Sequence, residues 1–266
     1  MEQQTGDILW NRSIAPGYWQ MGIHAPSGYG GATPGQFVMA GQSGGGYSPL
    51  LRRPFSIHRL IEDAGSVVGI EILYRVVGQG TRLLSALKAG DAVDLLGPLG
   101  RGFRIPKTIR RIYVAAGGIG VAPLVFLMDR LKEVIDLADS RVFLGGRSRS
   151  DLLCRNAFES TGVRVVPTTD DGSEGDQCLL THPLEEAVRQ RPPDLIAACG
   201  PPGMIACVGG IASRFGIPCQ VSLEATMACG LGACLGCAVK PAGNEESYLH
   251  VCKDGPVFDI DAIDLG

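Results

Sequence analysis

The sequence predicts two modest domains and a short appendage: an antiparallel β-barrel, then an α/β domain with a parallel sheet, then a cysteine-rich segment. Three observations predict this order. Residues from about 5 to 105 carry short, partly alternating apolar runs punctuated by Gly, Pro, Ser or Asp. From about residue 108, apolar strand-like runs alternate with helical stretches. After about residue 222 the chain turns Gly-rich and gathers four of its nine cysteines. A chain of 266 residues is too long for one small core and suits this division. The boundaries are set at 1–106, 107–221 and 222–266.

The barrel rests on Tyr18–Ala25, Gln36–Ala40, Phe55–Ile61, Val67–Val77 and Asp91–Leu96. One helical stretch, Thr81–Gly90, interrupts them. Closely spaced short strands with no long helix suit a small antiparallel barrel. Further on, Arg111–Ala116 is a short buried strand, and a glycine turn follows it. Leu124, Leu127, Met128, Leu131, Val134 and Ile135 then recur at three- and four-residue steps, which predicts a helix over Val121–Asp139. Arg141–Gly146, Val163–Pro167 and Asp194–Gly200 are further buried strands with helical stretches between them. Crossover connections of this kind build a parallel sheet.

The formal charge is −3 and no run of like charges stands out, so neither nucleic acid nor an anionic membrane surface is an expected partner. The start, MEQQTGDILWNRS, has no basic region followed by an apolar one, and no apolar run reaches membrane-spanning length. A cytoplasmic location is expected. Nine cysteines, an odd number with six of them scattered outside Met227–Val239, do not make a secreted disulfide framework.

Several motifs carry chemistry. In AAGGIGVAP, Gly117, Gly118 and Gly120 follow a strand and open a helix, with Pro123 in its first turn. A backbone without Cβ can approach a pyrophosphate there, and free helix N–H groups face its charge. ACGPPGM places Cys199, Gly200 and Pro201 at the end of another strand. The carboxyl ends of neighbouring parallel strands form the crevice where such sheets bind ligands. In the first segment, RRPFSIHR offers Arg53 to a phosphate or flavin edge, Phe55 to a ring face and Ser56 to a ring nitrogen, after Pro54. LYRVVGQGT adds Tyr74 and Arg75, then Gly80 and Thr81 as a second phosphate cradle. Taken singly, each has a plain alternative: a tight turn, a surface arginine, a core aromatic, an N-cap threonine, a buried structural cysteine.

Cys229, Cys234 and Cys237 are spaced C-x4-C-x2-C, and Cys252 follows after 14 intervening residues. This is the plant-type [2Fe–2S] ligand order with a short final gap. Gly230, Gly232 and Gly236 let the loop curl and turn its N–H groups toward sulfur. A zinc site would normally show two C-x2-4-C knuckles, and a redox disulfide at Cys234–Cys237 would leave Cys229 and Cys252 unexplained. His250 is read as a supporting or surface histidine, because four cysteines are already present.

Together, RPFS, GGIGVAP and CGPPGM resemble the ferredoxin–NADP reductase superfamily, with Phe55 in place of the tyrosine of R-x-Y-S. With MACGLGACLGC and HVCKDGPVFD added, nearly the whole chain resembles the electron-transfer subunits of class B dihydroorotate dehydrogenase, including PGQFVM and TDDGSEG. GDQCLL after the acidic loop, and Ala225-Thr226 before Met227, depart from that family's usual pattern. The resemblance implies a Greek-key barrel binding FAD through Arg53, Pro54, Phe55, Ser56, Leu73, Tyr74, Arg75, Gly80 and Thr81. It implies a Rossmann-like domain binding NAD through Gly117, Gly118, Gly120, Pro123, Gly200 and Pro201, with Cys199 near the nicotinamide. Cys229, Cys234, Cys237 and Cys252 would ligate a [2Fe–2S] cluster. The implied partner is an FMN-bearing subunit that oxidises dihydroorotate, in a heterotetramer of two of each; electrons would pass from FMN through the cluster and FAD to NAD⁺. FAD belongs between the other two because a flavin exchanges both hydride and single electrons. The alternatives are the small subunit of an NAD(P)H:ferredoxin oxidoreductase or sulfide dehydrogenase, and a zinc-stabilised regulatory module. Arg147 and Arg149 after the second strand leave NAD against NADP open.

Overall fold

Six strands close the barrel: β1 (Glu2–Ala15), β2 (Tyr18–His24), β3 (Phe37–Gln42), β4 (Arg53–Asp63), β5 (Ser66–Arg75) and β6 (Ala92–Leu99). This computed structural model describes residues 1–25, 28–43, 49–243 and 246–265. The strand order is β1-β2-β5-β4-β3-β6, and β6 pairs back onto β1. The consecutive strands β3, β4 and β5 are neighbours, and β6 returns beside β3, which is a Greek key. Inward residues such as Met21, Ile23, Val38, Ile57, Ile70, Ile72 and Val93 are fully buried. Each large apolar side chain contributes about 1.5–3 kcal/mol. A half-exposed pair such as Arg59–Asp129 adds at most about 1 kcal/mol. The apolar alternation therefore sets the register. Helix α1 (Gln79–Ala86) follows β5 and sends Leu84 into the barrel core.

The second sheet has the order β14-β11-β10-β7-β8-β9, with β14 (Val257–Asp259) at one edge. Strands β7 (Ile112–Gly117), β8 (Arg141–Gly146), β9 (Arg164–Thr169), β10 (Leu195–Cys199) and β11 (Cys219–Ser222) run parallel. Helices α2 (Val121–Leu131), α3 (Arg155–Glu159), α4 (Thr181–Gln190) and α5 (Pro202–Phe215) connect them. Both faces are covered, which is why the strands read as unbroken apolar runs. Val114 and Ala116 pack with Leu124, Leu127, Met128 and Leu131 of α2. Tyr113 and Ala115 point the other way, into a core with Leu184 of α4 and Ile205, Val208 and Ile211 of α5.

Helix α2 stops at Leu131 instead of running to Asp139. The N–H groups of Val134 and Ile135 both bond back to the Leu131 carbonyl, and Val134 turns out to solvent. Ile135 still packs on the core, so the helical spacing continues past the helix itself.

The last segment holds β12 (Ala238–Pro241), β13 (Leu249–His250) and β15 (Ile263–Asp264) in a small sheet. Its strand β14 (Val257–Asp259) instead pairs antiparallel with β11 and finishes the nucleotide-type sheet. One core joins the three units: Phe37, Met39 and Leu99 of the barrel pack with Met227, Cys237, Val251 and Cys252. Among the described residues, no helix is long and apolar enough to cross a membrane.

Candidate functional site

Two cavities meet between the barrel and the parallel sheet, and the cysteine loop abuts the first. That cavity, about 460 Å³, is lined by Arg53, Pro54, Phe55 and Ser56 at the start of β4 and by Leu73, Tyr74 and Arg75 at the end of β5. Gly80 and Thr81 of α1 complete that side. The structure thus brings together all nine barrel residues singled out in the sequence. Phe55 and Tyr74 meet edge to face, ring centroids 5.6 Å apart. The Tyr74 hydroxyl donates to Asn11 Oδ1 at 3.0 Å, and Asn11 Nδ2 donates to the Leu84 and Leu87 carbonyls that end α1. Burial pushes the Tyr74 hydroxyl up to about 12, so it stays a neutral donor.

Thr81 builds the turn that opens α1: its hydroxyl accepts the Val77 and Gly78 N–H groups at 3.0 and 3.1 Å. The opening of α1, with Gly78 and Gly80, lines the cavity there. The Arg53 guanidinium lies against it: a Cβ on Gly80 would stand 3.1 Å from Arg53 Nε. Arg53 also donates to the Leu51 carbonyl, which aims the side chain. A cation over a helix N-terminus, beside an apolar cavity with aromatic walls, fits a flavin dinucleotide. Arg53→Ala is expected to weaken FAD retention about tenfold to a hundredfold, as loss of a hydrogen bond to a charged group does. Flavin fluorescence released on dilution measures it.

The far wall of the first cavity comes from the other units: Ile119, Ala122 and Pro123, Cys199, Ser222 and Glu224, and Ala225 and Met227. Pro123 and Cys199 therefore face this cavity and not the second. Cys199 is 2% exposed, and burial pushes its thiol far up, so it is no thiolate nucleophile. Burial also raises the Glu224 carboxyl. His58, buried behind the wall, donates from Nδ1 to the Ala122 carbonyl at 2.9 Å and fixes that turn. Glu224, Ser222 and Met227 were missed in the sequence; the one available signal was a glutamate just after a buried strand, three residues before a cysteine motif.

The second cavity, about 520 Å³, opens at the carboxyl ends of β7, β8, β9 and β10. Gly117, Gly118 and Pro201 line it with Gly146, Arg147, Asp151 and Asp170. It lies where the strand order reverses, between β7 and β10, the usual ligand crevice of such sheets. A Cβ on Gly117 would lie 2.8 Å from Met204 Sδ and 2.9 Å from Pro201 Cδ. Gly120 and Gly200 line neither cavity: their bare Cα atoms let the two turns pack, since a Cβ on Gly120 would fall 2.2 Å from the Cys199 carbonyl oxygen and one on Gly200 would fall 3.1 Å from Gly117 N. Arg75 and Ile119 line both cavities.

In the cysteine loop the thiols lie as two pairs, Cys229 with Cys234 and Cys237 with Cys252, each pair within hydrogen-bond reach. Among the described residues no three His, Cys, Asp or Glu side chains converge as the ligands of one ion do. Two irons sharing two sulfides ask for two thiolates each, which the pairs supply. The backbone also points at sulfur. Leu231 and Cys234 donate N–H groups to Cys229 Sγ at 3.3 and 3.4 Å. Gly232 donates to Cys252 Sγ at 3.0 Å, and Cys252 to Cys237 Sγ at 3.4 Å. Burial raises the Cys229 thiol, but these donors outweigh it and bring it down to about 6. Burial takes Cys252 up to about 12. Gly230 and Gly232 adopt φ of +73° and +79°, and Leu235 adopts +60°, which costs a branched residue strain. A Cβ on Gly230 would lie 2.6 Å from Met39 Cγ, so the loop sits directly on the barrel. The His250 backbone N–H donates to Asp254 Oδ2 at 2.8 Å, and its ring Nδ1 lies 3.8 Å from the same oxygen, so the imidazole sits beside Asp254.

Comparison with known proteins agrees with this layout. Residues 224–264 match the iron–sulfur cluster binding domain of dihydroorotate dehydrogenase B, and residues 114–209 match the oxidoreductase NAD-binding domain. The dihydroorotate dehydrogenase B (NAD⁺) electron transfer subunit of Desulforamulus reducens is 40% identical over 92% of both chains. That of Caldanaerobacter subterraneus subsp. tengcongensis is 36% identical over 94% of both. A solved structure of NADH-dependent reduced ferredoxin-NADP oxidoreductase superposes with a TM-score of 0.84 at 29% identity, covering 98% of this chain and 90% of that one. A ferredoxin NADP⁺ reductase from Neisseria gonorrhoeae, solved with FAD and NADP, shares the fold at a TM-score of 0.65 and 18% identity, covering 81% of this chain and 92% of that one.

Proposed function

The chain belongs to the family of dihydroorotate dehydrogenase B (NAD⁺) electron transfer subunits, and we propose from this premise how its three sites divide the work. It is an oxidoreductase subunit that carries electrons between a catalytic partner and NAD⁺. The observation that carries this reading is contiguity: the first cavity shares Arg75 and Ile119 with the second, and Met227 with the core behind the cysteine loop. When bound, a [2Fe–2S] cluster supplies single-electron transfer, FAD joins single-electron to hydride chemistry, and NAD⁺ takes the hydride.

In this proposal the chain's residues do the following. Cys229, Cys234, Cys237 and Cys252 hold the cluster, and the N–H groups aimed at their sulfurs favour the charged thiolates. Arg53 and the opening of α1 hold the flavin diphosphate, while Phe55 and Tyr74 wall the ring-binding part of the cavity. The turns after β7 and β10 receive the nicotinamide dinucleotide. Cys199 and Ser222, both buried, stand on the far wall of the first cavity and exclude water there, beside the exposed Glu224. The units are assigned as 1–106 for FAD, 107–221 for NAD and 222–266 for the cluster.

The partner is inferred to be an FMN-bearing, dihydroorotate-oxidising subunit, in a heterotetramer of two of each kind, in the cytoplasm. Leu231 and Leu235 support a docking face at the cluster: they are 45% and 60% exposed on the tip of the cysteine loop. Leu235→Glu is expected to weaken association with the co-expressed partner about tenfold or more, because it desolvates a charge in an apolar contact. A variant that co-purifies and binds like wild type contradicts the docking face. The function itself is tested by assaying the co-purified complex for dihydroorotate-dependent reduction of NAD⁺. A complex that reduces ferredoxin or NADP⁺ but not NAD⁺ would favour the ferredoxin oxidoreductase reading, whose fold this chain shares.

A further inference from the structure

We propose that Asp151 and Glu174 set the preference for NAD⁺ over its 2′-phosphorylated form, by holding the two arginines that a 2′-phosphate would require. This rests on reading the second cavity as the nicotinamide dinucleotide site. In such sheets the adenosine ribose lies off the end of the strand beside the glycine-turn strand, which here is β8. Arg147 and Arg149 follow that end, where a free guanidinium would grip a 2′-phosphate.

Neither guanidinium is free. Arg147 donates from Nε to Asp151 Oδ2 at 2.8 Å and from Nη2 to Oδ1 at 3.4 Å. Asp151 cannot follow a moving arginine out to solvent: it is 6% exposed and accepts the Tyr18 hydroxyl at 3.1 Å. Tyr18 belongs to β2, so the barrel itself pins this carboxylate. Arg149 Nε lies 3.0 Å from Glu174 Oε2, and its Nη2 donates to the Ser173 carbonyl at 3.1 Å. Glu174 is held in turn by Arg155 Nη1 at 2.8 Å and by its own N–H to Thr169 Oγ1 at 3.2 Å. Asp170 adds a second carboxylate to the lining beside Asp151, with the Arg149–Glu174 pair just outside it.

A ribose 2′-hydroxyl can donate to such a carboxylate. A 2′-phosphate brings close to two negative charges and three acceptor oxygens. It would have to take both arginines from anchored carboxylates while sitting beside Asp170. The acids thus act by repulsion and by occupying the donors, a form of selection against the wrong ligand.

The test uses the FAD-loaded protein with Asp151→Asn, Glu174→Gln and the double variant. The amide oxygen of Asn can still accept the Tyr18 bond. Two readouts are taken: the ratio of kcat/KM for NADPH over NADH in dye reduction, and calorimetric affinity for 2′,5′-ADP against 5′-AMP. The double variant should raise the kinetic ratio about tenfold or more, the worth of one hydrogen bond to a charged group. It should bind 2′,5′-ADP tighter by a similar factor, and added Arg147→Ala and Arg149→Ala should cancel both gains. Unchanged ratios in flavin-loaded double variants would overturn the proposal, as would gains that survive removal of the arginines. If wild type binds neither 5′-AMP nor NADH, the reading of the cavity fails, and the proposal with it.

Discussion

Cys234→Ser is expected to strip the chain of iron and acid-labile sulfide. Dihydroorotate-linked NAD⁺ reduction by the assembled complex should fall about a hundredfold or more, beyond the 10–100-fold cost of disturbing a ligand's outer partners. Cys234 is the sharpest choice because it is exposed, whereas Cys237 and Cys252 are 4% and 2% exposed within the core shared with Met39 and Leu99. Serine at 234 therefore removes one ligand of the Cys229–Cys234 pair without emptying a packed site. NADH-to-dye turnover uses the two cavities and not the loop, so it should fall far less than the partner-linked rate. A variant with full iron and normal partner-linked turnover would remove Cys234 from the ligand set.

The second large effect belongs to a glycine that touches no cavity. Gly120→Ala places a methyl 2.2 Å from the Cys199 carbonyl oxygen, 2.5 Å from its carbon and 2.8 Å from Gly200 N. All three are backbone atoms, so no side chain can swing aside. The turns after β7 and β10 must separate, and both flank the second cavity. The expected cost is about 1–3 kcal/mol of stability, as for overpacking elsewhere, with an NADH KM raised about tenfold or more. Gly118→Ala is the contrast: nothing lies within 4 Å of the added methyl, but φ is +53°. It should cost about 1 kcal/mol through backbone strain alone. Urea midpoints and NADH titrations of the two variants separate packing from conformation; equal losses would refute the distinction.

These two cases show what the sequence can and cannot express. The barrel motif, the glycine turns and the cysteine spacing were legible because each site segment is contiguous, so composition and spacing carry the chemistry. The antiparallel barrel and the parallel sheet followed from apolar period, since one-face and two-face burial leave different patterns, whereas the Greek key was only implied by the family resemblance. Strand β1 was not resolved as a strand: its 14 residues bury little beyond Gly6 and Ile8, and it is held by pairing with β2 and β6 on either side. Strand β14 was hidden for a similar reason, being three residues whose partner lies far back in β11. The wall of the flavin cavity was out of reach too. Ser222, Glu224 and Met227 acquire meaning only when the chain returns past β11 to face Arg53 and Tyr74. Asp151 was likewise unremarkable until Tyr18, 133 residues earlier, bonded to it. Thr81 shows the converse: its hydroxyl accepts the Val77 and Gly78 N–H groups and builds the turn, a role the sequence offered beside that of a phosphate cradle.

The account stands on the pairing of four thiols beside a flavin cavity. The most direct test is the cofactor content of the chain purified anaerobically with its partner. The account predicts about one FAD, about two irons and about two acid-labile sulfides for every chain. Stoichiometric zinc without iron or labile sulfide would contradict it.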